Sequence, residues 1–382
     1  MTEKRRTFAN ESQQCSRHNL ASTYDQSLPE LTNMRTMGSV PFGGRYRLID
    51  FPLSNMVNSG ISKVGVITKS NYRSLMDHLG TGKPWDLSRK REGMFILPPF
   101  NSAEDSGGLF ANRIDALIGC TSFISSSTNE YVLLCDCNTI CNIDLNLLFD
   151  AHEQSGADIT AAYCHGTVPA LSNTMTFDLD SDGRIKEIAI SSTGGAEGNY
   201  SLNVFLLKKS LLERLISQAA SMHYTDFERD LIQANVGALK ICGYKTEGFV
   251  VTLDSLKSFY DANMALLDLG NRSELFCRER PVYTKVRDEV PAIYGLGADV
   301  KNSLIADGCK IEGKVENSIL FRGVTIGKDA VVKNSIVMQG AYVGSGATLN
   351  SVIMDKISII KPDKSLCGTD TFPVYVGKGI VV

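Results

Sequence analysis

A short repeat in the C-terminal part of the sequence constrains the fold more than any other feature. The dipeptide Asn-Ser followed by two aliphatic residues starts at Asn302, Asn317, Asn334 and Asn350, at spacings of 15, 17 and 16 residues. Glycine-containing turns, such as the one at 308–311, lie between the copies. Short strands that recur once per coil are typical of a parallel β-helix, in which aliphatic side chains point inward while Asn and Gly occupy the corners. A β-sandwich is the plainer alternative.

The sequence up to about residue 275 follows a different pattern, in which short apolar runs alternate with amphipathic stretches. Strands are predicted at 63–68, 131–135, 158–164, 185–190, 202–207, 239–244 and 249–253. Alternating strands and helices with nearly continuous apolar strands predict an α/β fold with a doubly wound, mostly parallel sheet. Ligands of such folds bind beyond the carboxyl ends of the strands, so we expect functional side chains in the loops that follow them.

These patterns divide the chain into four segments. We predict a polar, unstructured extension over residues 1–20 and the α/β domain over 21–275. A linker over 276–290, which contains Pro281 and mixed charge, leads to the β-helix over 291–382.

Charge and hydropathy argue against nucleic-acid and membrane partners. The formal net charge is −3, so no basic excess favours binding to nucleic acid or a membrane surface. No apolar run approaches the roughly 18 residues that a membrane span requires. The basic N-terminus lacks the apolar segment of a secretory signal. Ten scattered cysteines favour a reducing, cytoplasmic location.

Three cysteines lie close together in the sequence, at Cys135, Cys137 and Cys141. A metal site is conceivable, but no second pair of Cys or His residues follows at ligand spacing. The three residues follow an apolar run, where cysteine usually serves as a small buried hydrophobic side chain. Packing is therefore the preferred interpretation.

Several motifs carry a family resemblance. Residues 41–52 read PFGGRYRLIDFP, residues 80–87 read GTGKPWDL, and residues 224–230 read YTDFERD. Together with the repeats, these segments resemble bacterial glucose-1-phosphate adenylyltransferases over about residues 28–382. The resemblance implies a nucleotidyltransferase domain followed by a left-handed parallel β-helix. It also implies a reaction in which ATP and glucose 1-phosphate form ADP-glucose for glycogen synthesis, with Mg²⁺ held by two aspartates.

The chain departs from that family where the family binds phosphate and metal. The glycine-rich phosphate loop corresponds to residues 21–27, which contain neither Gly nor Arg. The first metal-binding Asp of the family corresponds to Asn138, and the second corresponds to Thr252. Asp136 and Asp254 lie two residues away from these positions and are alternative ligands.

The sugar-binding Glu-Lys pair of the family is also absent. It corresponds to residues 189–192, with Ser191 at its centre. Ser201 matches a strand near the sugar in the family, although strand packing explains it equally well. The resemblance therefore implies a chain without catalytic residues of its own, similar to the second, regulatory type of subunit in glycogen operons.

The resemblance further implies partners for such a subunit. We expect a catalytic subunit of the same fold, assembled with this chain as a hetero-oligomer of four subunits, with Mg²⁺ bound by the partner and no cofactor bound by this chain. Arg45 matches a family Lys that contacts a phosphorylated activator, and Arg47 lies beside it. We therefore expect a phosphorylated small-molecule effector at these two residues, and a surface ion pair is the plainer alternative.

Three rival functions are distinguishable. An active nucleotidyltransferase would use Asp136 and Asp254 for the metal and would make ADP-glucose unaided. A hexapeptide-repeat acyltransferase needs a catalytic His in the β-helix, and residues 290–382 contain no His. A structural scaffold, like the non-catalytic subunits of the translation guanine-nucleotide exchange factor, shares the two-domain plan but not the PFGGRYR and PWDL segments.

Overall fold

The structure is a computed structural model that describes residues 15–20, 25–68, 71–89, 92–98, 110, 112–191 and 194–382, with only the backbone described at 15–20 and 191. Described residues up to about 275 form an α/β domain, and the strands after residue 292 form a β-helix. No helix in the described ranges is long and apolar enough to cross a membrane.

The strands of the α/β domain alternate with helices along most of the chain. In order, they are β1 (Cys15–Leu20), β2 (Pro41–Phe42), β3 (Tyr46–Arg47), β4 (Lys63–Ile67), β5 (Gly93–Leu97), β6 (Tyr131–Asp136), β7 (Thr139–Ile140), β8 (Ile159–Thr167), β9 (Thr174–Leu179), β10 (Ile185–Ser191), β11 (Glu197–Lys208), β12 (Ile241–Lys245) and β13 (Val251–Thr252). The helices are α1 (Pro29–Thr32), α2 (Asp50–Asn58), α3 (Arg73–Leu79), α4 (Arg113–Gly119), α5 (Thr121–Ser125), α6 (Leu145–Ser155), α7 (Lys209–Met222), α8 (Leu256–Met264) and α9 (Leu269–Leu275).

The central sheet is mixed in direction. Its main path runs β10-β9-β11-β6-β1-β4-β5, and β8 joins β11 to β12. The pairs β1–β4, β1–β6, β4–β5 and β8–β12 are parallel, whereas β11 is antiparallel to β6, β8 and β9. The predicted α/β class is confirmed. The antiparallel part arises because β9, β10 and β11 follow one another without an intervening helix, which favours antiparallel pairing.

Residues Cys15–Leu20 differ from the predicted unstructured extension. They form β1, which pairs in parallel with β4 on one side and with β6 on the other. The prediction failed because this segment lacks the apolar periodicity of a buried strand. Backbone hydrogen bonds from two neighbouring strands stabilise β1 instead. Residues 1–14 of the predicted extension lie outside the described residues.

The C-terminal part is the predicted parallel β-helix, and its left-handed class agrees with the expectation. Its strands are β14 (Ile293–Tyr294), β15 (Asp299–Lys301), β16 (Leu304–Ile305), β17 (Lys310–Ile311), β18 (Lys314–Glu316), β19 (Ile319–Leu320), β20 (Thr325–Ile326), β21 (Val331–Lys333), β22 (Ile336–Val337), β23 (Tyr342–Val343), β24 (Thr348–Asn350), β25 (Val352–Met354), β26 (Ile359–Ile360), β27 (Ser365–Cys367) and β28 (Val374–Val376). Every third strand joins the same parallel sheet, so three sheets form the faces of a prism. Aliphatic side chains such as Ile311, Val332 and Leu349 fill its interior.

The Asn-Ser repeat forms one corner of each coil. Asn302, Asn317 and Asn334 have positive φ angles of 41°, 45° and 46°, a backbone region that Asn tolerates better than most residues. In the fourth copy Ser351 takes this position with φ 52°, because the preceding spacing is one residue shorter. The serine hydroxyls then link coils, as the Ser318 hydroxyl accepts a hydrogen bond from the Ser335 amide at 3.1 Å.

The β-helix and the α/β domain share one hydrophobic core. The outer side chains of the third sheet, Ile319, Ile336 and Ile353, are fully buried against the α/β domain. Beside this core, a buried ion pair joins Arg35 Nη2 to Asp355 Oδ2 at 2.6 Å. The interface is therefore apolar with a charged pair at its edge, and the two parts pack as one body.

The first prediction concerns this ion pair. Replacing Asp355 with Ala leaves the Arg35 guanidinium buried without its carboxylate, and we expect a loss of about 3–5 kcal/mol in the free energy of unfolding. Urea unfolding followed by circular dichroism measures the change. As a control, Asp299→Ala removes the carboxylate of an exposed pair with Lys301 and should leave the unfolding midpoint unchanged. Equal effects of both substitutions would contradict the assigned role of the buried pair.

Candidate functional site

The positions that correspond to the metal-binding aspartates lie where β6 ends and β13 runs beside β7. Asn138 is fully buried, and neither atom of its side-chain amide has a hydrogen-bond partner within the described ranges. Thr252 lies opposite, with its hydroxyl 3.1 Å from the hydroxyl of Thr139. The structure thus brings the two predicted positions onto adjoining segments, but it places an amide and two hydroxyls where a divalent cation needs carboxylates.

A buried arginine compensates the nearest carboxylate. Arg113 Nη1 lies 3.4 Å from Asp136 Oδ2 and 3.1 Å from Glu228 Oε1. The guanidinium carbon is also 4.2 Å from the ring centroid of Phe227, which adds a cation–π contact. Asn173 Nδ2 donates to the second oxygen of Glu228 at 3.3 Å. We call Arg113, Asp136, Glu228 and Phe227 the arginine cluster.

Local backbone structure positions the members of the arginine cluster. Arg113 is the first residue of α4, which the Asn112 side chain caps by accepting from the Asp115 amide at 2.9 Å. Phe227 and Glu228 begin a π-helical segment, Phe227–Ile232, a rare geometry that is frequent at functional sites. Burial raises the pKa of Glu228 above its usual range, and the charge of Arg113 opposes that rise.

The residues present do not fit a magnesium ion. The Asp136 carboxylate already has a cation within the protein. The Asp254 carboxylate is also engaged within the protein. Its Oδ2 accepts a hydrogen bond from the Ala170 amide at 2.8 Å, and its Oδ1 accepts one from the Ser255 hydroxyl at 2.9 Å. Among the described residues, no group of three or more His, Cys, Asp or Glu side chains could hold a metal ion. That statement includes Cys135, Cys137 and Cys141, which are buried.

The two serine positions do not join a common site. Ser191 ends β10, and its side chain lies outside the described residues. Ser201 is buried in β11, where its hydroxyl accepts from the Asn203 amide at 3.1 Å. Asn203 has φ 55°, and the pairing of β11 with β8 shifts register between Ser201 and Val204. Ser201 therefore stabilises a β-bulge.

A second site lies between the two parts of the molecule, at a pocket lined by cations from three segments. The six cationic residues are Arg45, Arg47, Lys285, Arg287, Arg322 and Lys356. We call this site the basic pocket. The structure thus brings Arg45 and Arg47 together, as the sequence predicted, and adds four cations that the prediction did not include.

The α/β domain contributes the turn between β2 and β3. Gly43 and Gly44 have φ angles of 59° and 85°, which favour glycine and allow the tight turn that presents Arg45 and Arg47. The Asp50 carboxylate fixes this hairpin, because it accepts from the Arg47 amide at 2.9 Å and lies 2.6 Å from Nε2 of His78. Burial lowers the pKa of His78.

The β-helix contributes a column of side chains at one corner. Successive coils have equivalent residues at this corner, which are Asp307, Arg322, Gln339 and Lys356. The equivalence follows from the backbone hydrogen bonds, because the amide after each of the last three residues donates to the carbonyl of the residue one coil earlier. Three of these side chains, from Arg322 to Lys356, line the basic pocket. We call the four residues the corner column. The aliphatic and Asn-Ser positions of the repeat do not reveal this column, although the spacing of 15–17 residues aligns these corners as well.

The basic pocket holds more positive charge than its carboxylates compensate. Lys285 lies 3.6 Å from Asp77, and Arg322 lies 3.1 Å from Asp307. In the part of the chain that the structure describes, no ion pair reaches the four remaining basic side chains of the pocket, which are Arg45, Arg47, Arg287 and Lys356.

Burial makes this excess charge costly. Burial lowers the pKa of Arg47 to about 10. The charge of Asp50 opposes this shift, whereas the charges of Arg35 and Arg287 add to it. Its guanidinium donates to the Ser74 carbonyl at 2.7 Å, so it is held in place. A set of fixed, uncompensated cations in a concave site favours a multivalent anion.

The second prediction concerns the arginine cluster. Arg113→Met removes the cation that faces two buried carboxylates, and we expect the free energy of unfolding to fall by about 3–5 kcal/mol at pH 8. The folded carboxyls then have raised pKa values, so the folded state binds more protons than the unfolded state and stability recovers as the pH falls. The recovery is at most about 1.4 kcal/mol per pH unit and per group.

Urea unfolding between pH 5 and pH 8 measures both effects. Arg89→Met makes the same chemical change in an exposed pair with Asp86 and should alter neither the midpoint nor its pH dependence. A deficit in Arg113→Met that does not vary with pH would contradict the assigned charge pairing.

Comparisons with known proteins agree with the fold. Residues 26–189 match the nucleotidyl transferase family, and residues 293–372 match the GlmU-like C-terminal hexapeptide family. The chain is 38% identical over 362 residues to the glycogen biosynthesis protein GlgD of Bacillus subtilis, which covers 94% of both chains. It is 40% identical over 364 residues to the protein of the same name from Geobacillus stearothermophilus, covering 94% of this chain and 95% of the relative.

A relative with a different name is also similar over most of its length. The glucose-1-phosphate adenylyltransferase of Clostridium perfringens (strain 13 / Type A) is 34% identical over 319 residues, which are 82% of this chain and 80% of the relative. The fold, the PFGGRYR hairpin and these near full-length similarities lead to one conclusion: the chain belongs to the glucose-1-phosphate adenylyltransferase family, on its GlgD-like side.

Proposed function

We propose that this chain is a non-catalytic, regulatory subunit of glucose-1-phosphate adenylyltransferase that supports ADP-glucose synthesis in glycogen biosynthesis. One observation carries the proposal. The positions that correspond to the metal-binding aspartates hold Asn138 and Thr252, and the nearby Asp136 carboxylate is paired with Arg113, whereas the basic pocket carries unpaired cations.

The chemistry of the reaction explains why the arginine cluster argues against turnover. Transfer of an adenylyl group builds negative charge around the α-phosphorus, and a divalent cation held by carboxylates offsets it. Asn138 and Thr252 cannot supply that ligand charge. The rival reading, an active nucleotidyltransferase, needs Asp136 and Asp254, and both carboxylates are already bound by groups of the protein. We therefore propose that Mg²⁺ is bound by a catalytic partner.

The basic pocket supports a phosphorylated small molecule as effector. Guanidinium groups bind phosphate through two parallel hydrogen bonds, and the pocket supplies Arg45, Arg47 and Arg287. The pocket is formed jointly by the hairpin, residues 285–287 and the corner column. An anion bound there would contact both parts of the molecule and so favour one arrangement of them.

The surface of the β-helix supports assembly with a partner of the same fold, which we propose to be a hetero-oligomer, in the simplest case a tetramer. Of its three faces, one packs against the α/β domain and one carries charged residues such as Lys314 and Lys333. The face formed by β14, β17, β20, β23 and β26 exposes Ile293, Tyr342 and Ile359. Exposed aliphatic and aromatic side chains on a flat sheet favour contact with another protein surface.

The third prediction concerns turnover by the isolated chain. We expect a rate of ADP-glucose formation from ATP and glucose 1-phosphate at least about a hundredfold below that of a catalytic subunit, because the metal carboxylates are missing. Asn138→Asp should not restore the rate, since the Arg113 guanidinium remains against Asp136 and Thr252 remains a hydroxyl. A coupled assay for released pyrophosphate measures both proteins. Recovery of activity in the single variant would show that the metal centre has been misplaced.

The fourth prediction concerns the mixture of the two subunits. Co-purification with the catalytic partner should yield a hetero-oligomer whose ADP-glucose rate, or whose response to sugar phosphates, differs from that of the partner alone. The coupling between subunits is expected to shift the effector concentration for half-maximal activity by about 5- to 150-fold. Arg45→Ala in this chain should reduce that shift without preventing assembly.

Arg89→Ala provides the matched control, because Arg89 is an exposed arginine outside the basic pocket. It should leave the shift unchanged. If the two chains neither co-elute nor change each other's kinetics, the regulatory function is refuted. If they assemble and Arg45→Ala has no effect, only the effector site is refuted.

A further inference from the structure

Lys356 occupies an unusual position within the basic pocket. It is the last cation of the corner column, and Arg35, Arg47 and Arg287 all act on its charge. The neighbouring carboxylate, Asp355, interacts with other groups besides Lys356. Its Oδ2 lies 2.6 Å from Arg35 Nη2 and 3.0 Å from the Tyr375 hydroxyl. The guanidinium groups of Arg45, Arg47, Arg287 and Arg322 therefore line one pocket with an amine whose neighbouring carboxylate is already bound.

This arrangement makes the empty pocket unfavourable for a further positive charge. An ammonium ion at Lys356 is repelled by its neighbours and loses hydration on burial, whereas a neutral amine avoids both costs. A bound anion reverses the balance, because it attracts the ammonium form. We propose that the amine of Lys356 takes up one proton when an anion binds in the basic pocket, so that anion affinity falls as the pH rises. The inference rests on the proposed anion site and specifies how that site is regulated.

The electrostatics of the amine agree with this geometry. Burial is the largest cause that lowers the pKa of Lys356 to about 7, followed by the charges of Arg47 and Arg35, while Asp355 opposes the shift. At pH 8 the amine of the empty pocket is therefore mostly neutral. Anion binding raises its pKa, and the amine accepts a proton from the buffer acid. The only bond formed is N–H, and the buffer loses the proton that Lys356 gains.

The other groups that face Lys356 do not reproduce this behaviour between pH 7 and pH 9. The guanidinium groups of the pocket stay protonated in that range. Lys285 is paired with Asp77, and Arg322 with Asp307. His78 is the one competing imidazole among the described pocket residues, and burial lowers its pKa, so any proton uptake by His78 occurs on the acid side.

Sulfate is a suitable probe because, unlike phosphate, it does not titrate in this range. We would titrate the full chain with sulfate at constant ionic strength between pH 6.5 and pH 9. Calorimetry at pH 8 in Tris and in triethanolamine, two amine buffers with different ionisation enthalpies, gives the number of protons taken up. We expect about one proton per bound sulfate and an affinity that falls by up to about tenfold per pH unit above pH 7.

Two substitutions separate the charge of Lys356 from its titration. Lys356→Arg keeps a permanent cation, so it should bind sulfate with no proton uptake and with nearly constant affinity from pH 7 to pH 9. Lys356→Met should also show no uptake but should bind more weakly than the unmodified chain at pH 6.5. Circular dichroism and unfolding midpoints establish that both variants are folded, and His78→Gln tests the competing group.

The outcomes distinguish this inference from the function on which it rests. Proton uptake that disappears in both Lys356 variants and persists in His78→Gln supports the inference. Sulfate binding without uptake at pH 8, or uptake that persists in Lys356→Arg, overturns the inference and leaves the anion site standing. If the unmodified chain does not bind sulfate at any pH, the anion site and the inference are both overturned.

Discussion

The packing of one β-helix face onto the α/β domain is the interaction on which the rest of the structure depends. Ile319, Ile336 and Ile353 repeat once per coil and enter the same core as the helices of the α/β domain. A Cβ atom at Gly44 would lie 3.9 Å from Ile319, so the glycine turn of the β2–β3 hairpin rests directly on this face. Because the apolar contact fixes the hairpin against the coils, the corner column lies beside Arg45 and Arg47. The basic pocket is a consequence of that hydrophobic interface.

The two charged sites differ in their balance of cations and carboxylates. In the arginine cluster, a single guanidinium faces two buried carboxylates and the ring of Phe227, so both carboxylates have a cationic partner within the protein. Such a cluster needs no ligand. In the basic pocket, the cations outnumber the carboxylates, and Arg45 and Arg287 lack an acidic partner among the described residues. Repulsion among these cations destabilises the empty site, and an external anion would reduce that repulsion. The first site therefore pairs its charges internally, while the second is suited to binding an anion.

The sequence predicted those features that depend on local periodicity. The Asn-Ser repeat identified the β-helix, and the alternating apolar runs identified the α/β sheet, because both patterns follow directly from side-chain direction in regular structure. It failed at β1, where pairing partners outweigh a polar sequence, and in the direction of β11, which depends on connection length. Arg45 and Arg47 were predicted from the resemblance. Arg113 and Glu228 were not, since they are 115 residues apart and only the tertiary fold joins them.

The corner column has a geometric consequence of its own. Successive coils of parallel strands are about 4.8 Å apart, so side chains at this corner stand at fixed intervals along the axis. Arg322 and Lys356 are two coils apart, with Gln339 between them, so their charges are separated along the axis by about twice that interval. A substitution at this corner changes which rung carries a charge but leaves the spacing intact. The β-helix therefore sets the distance between charged side chains at this corner in discrete steps of one coil.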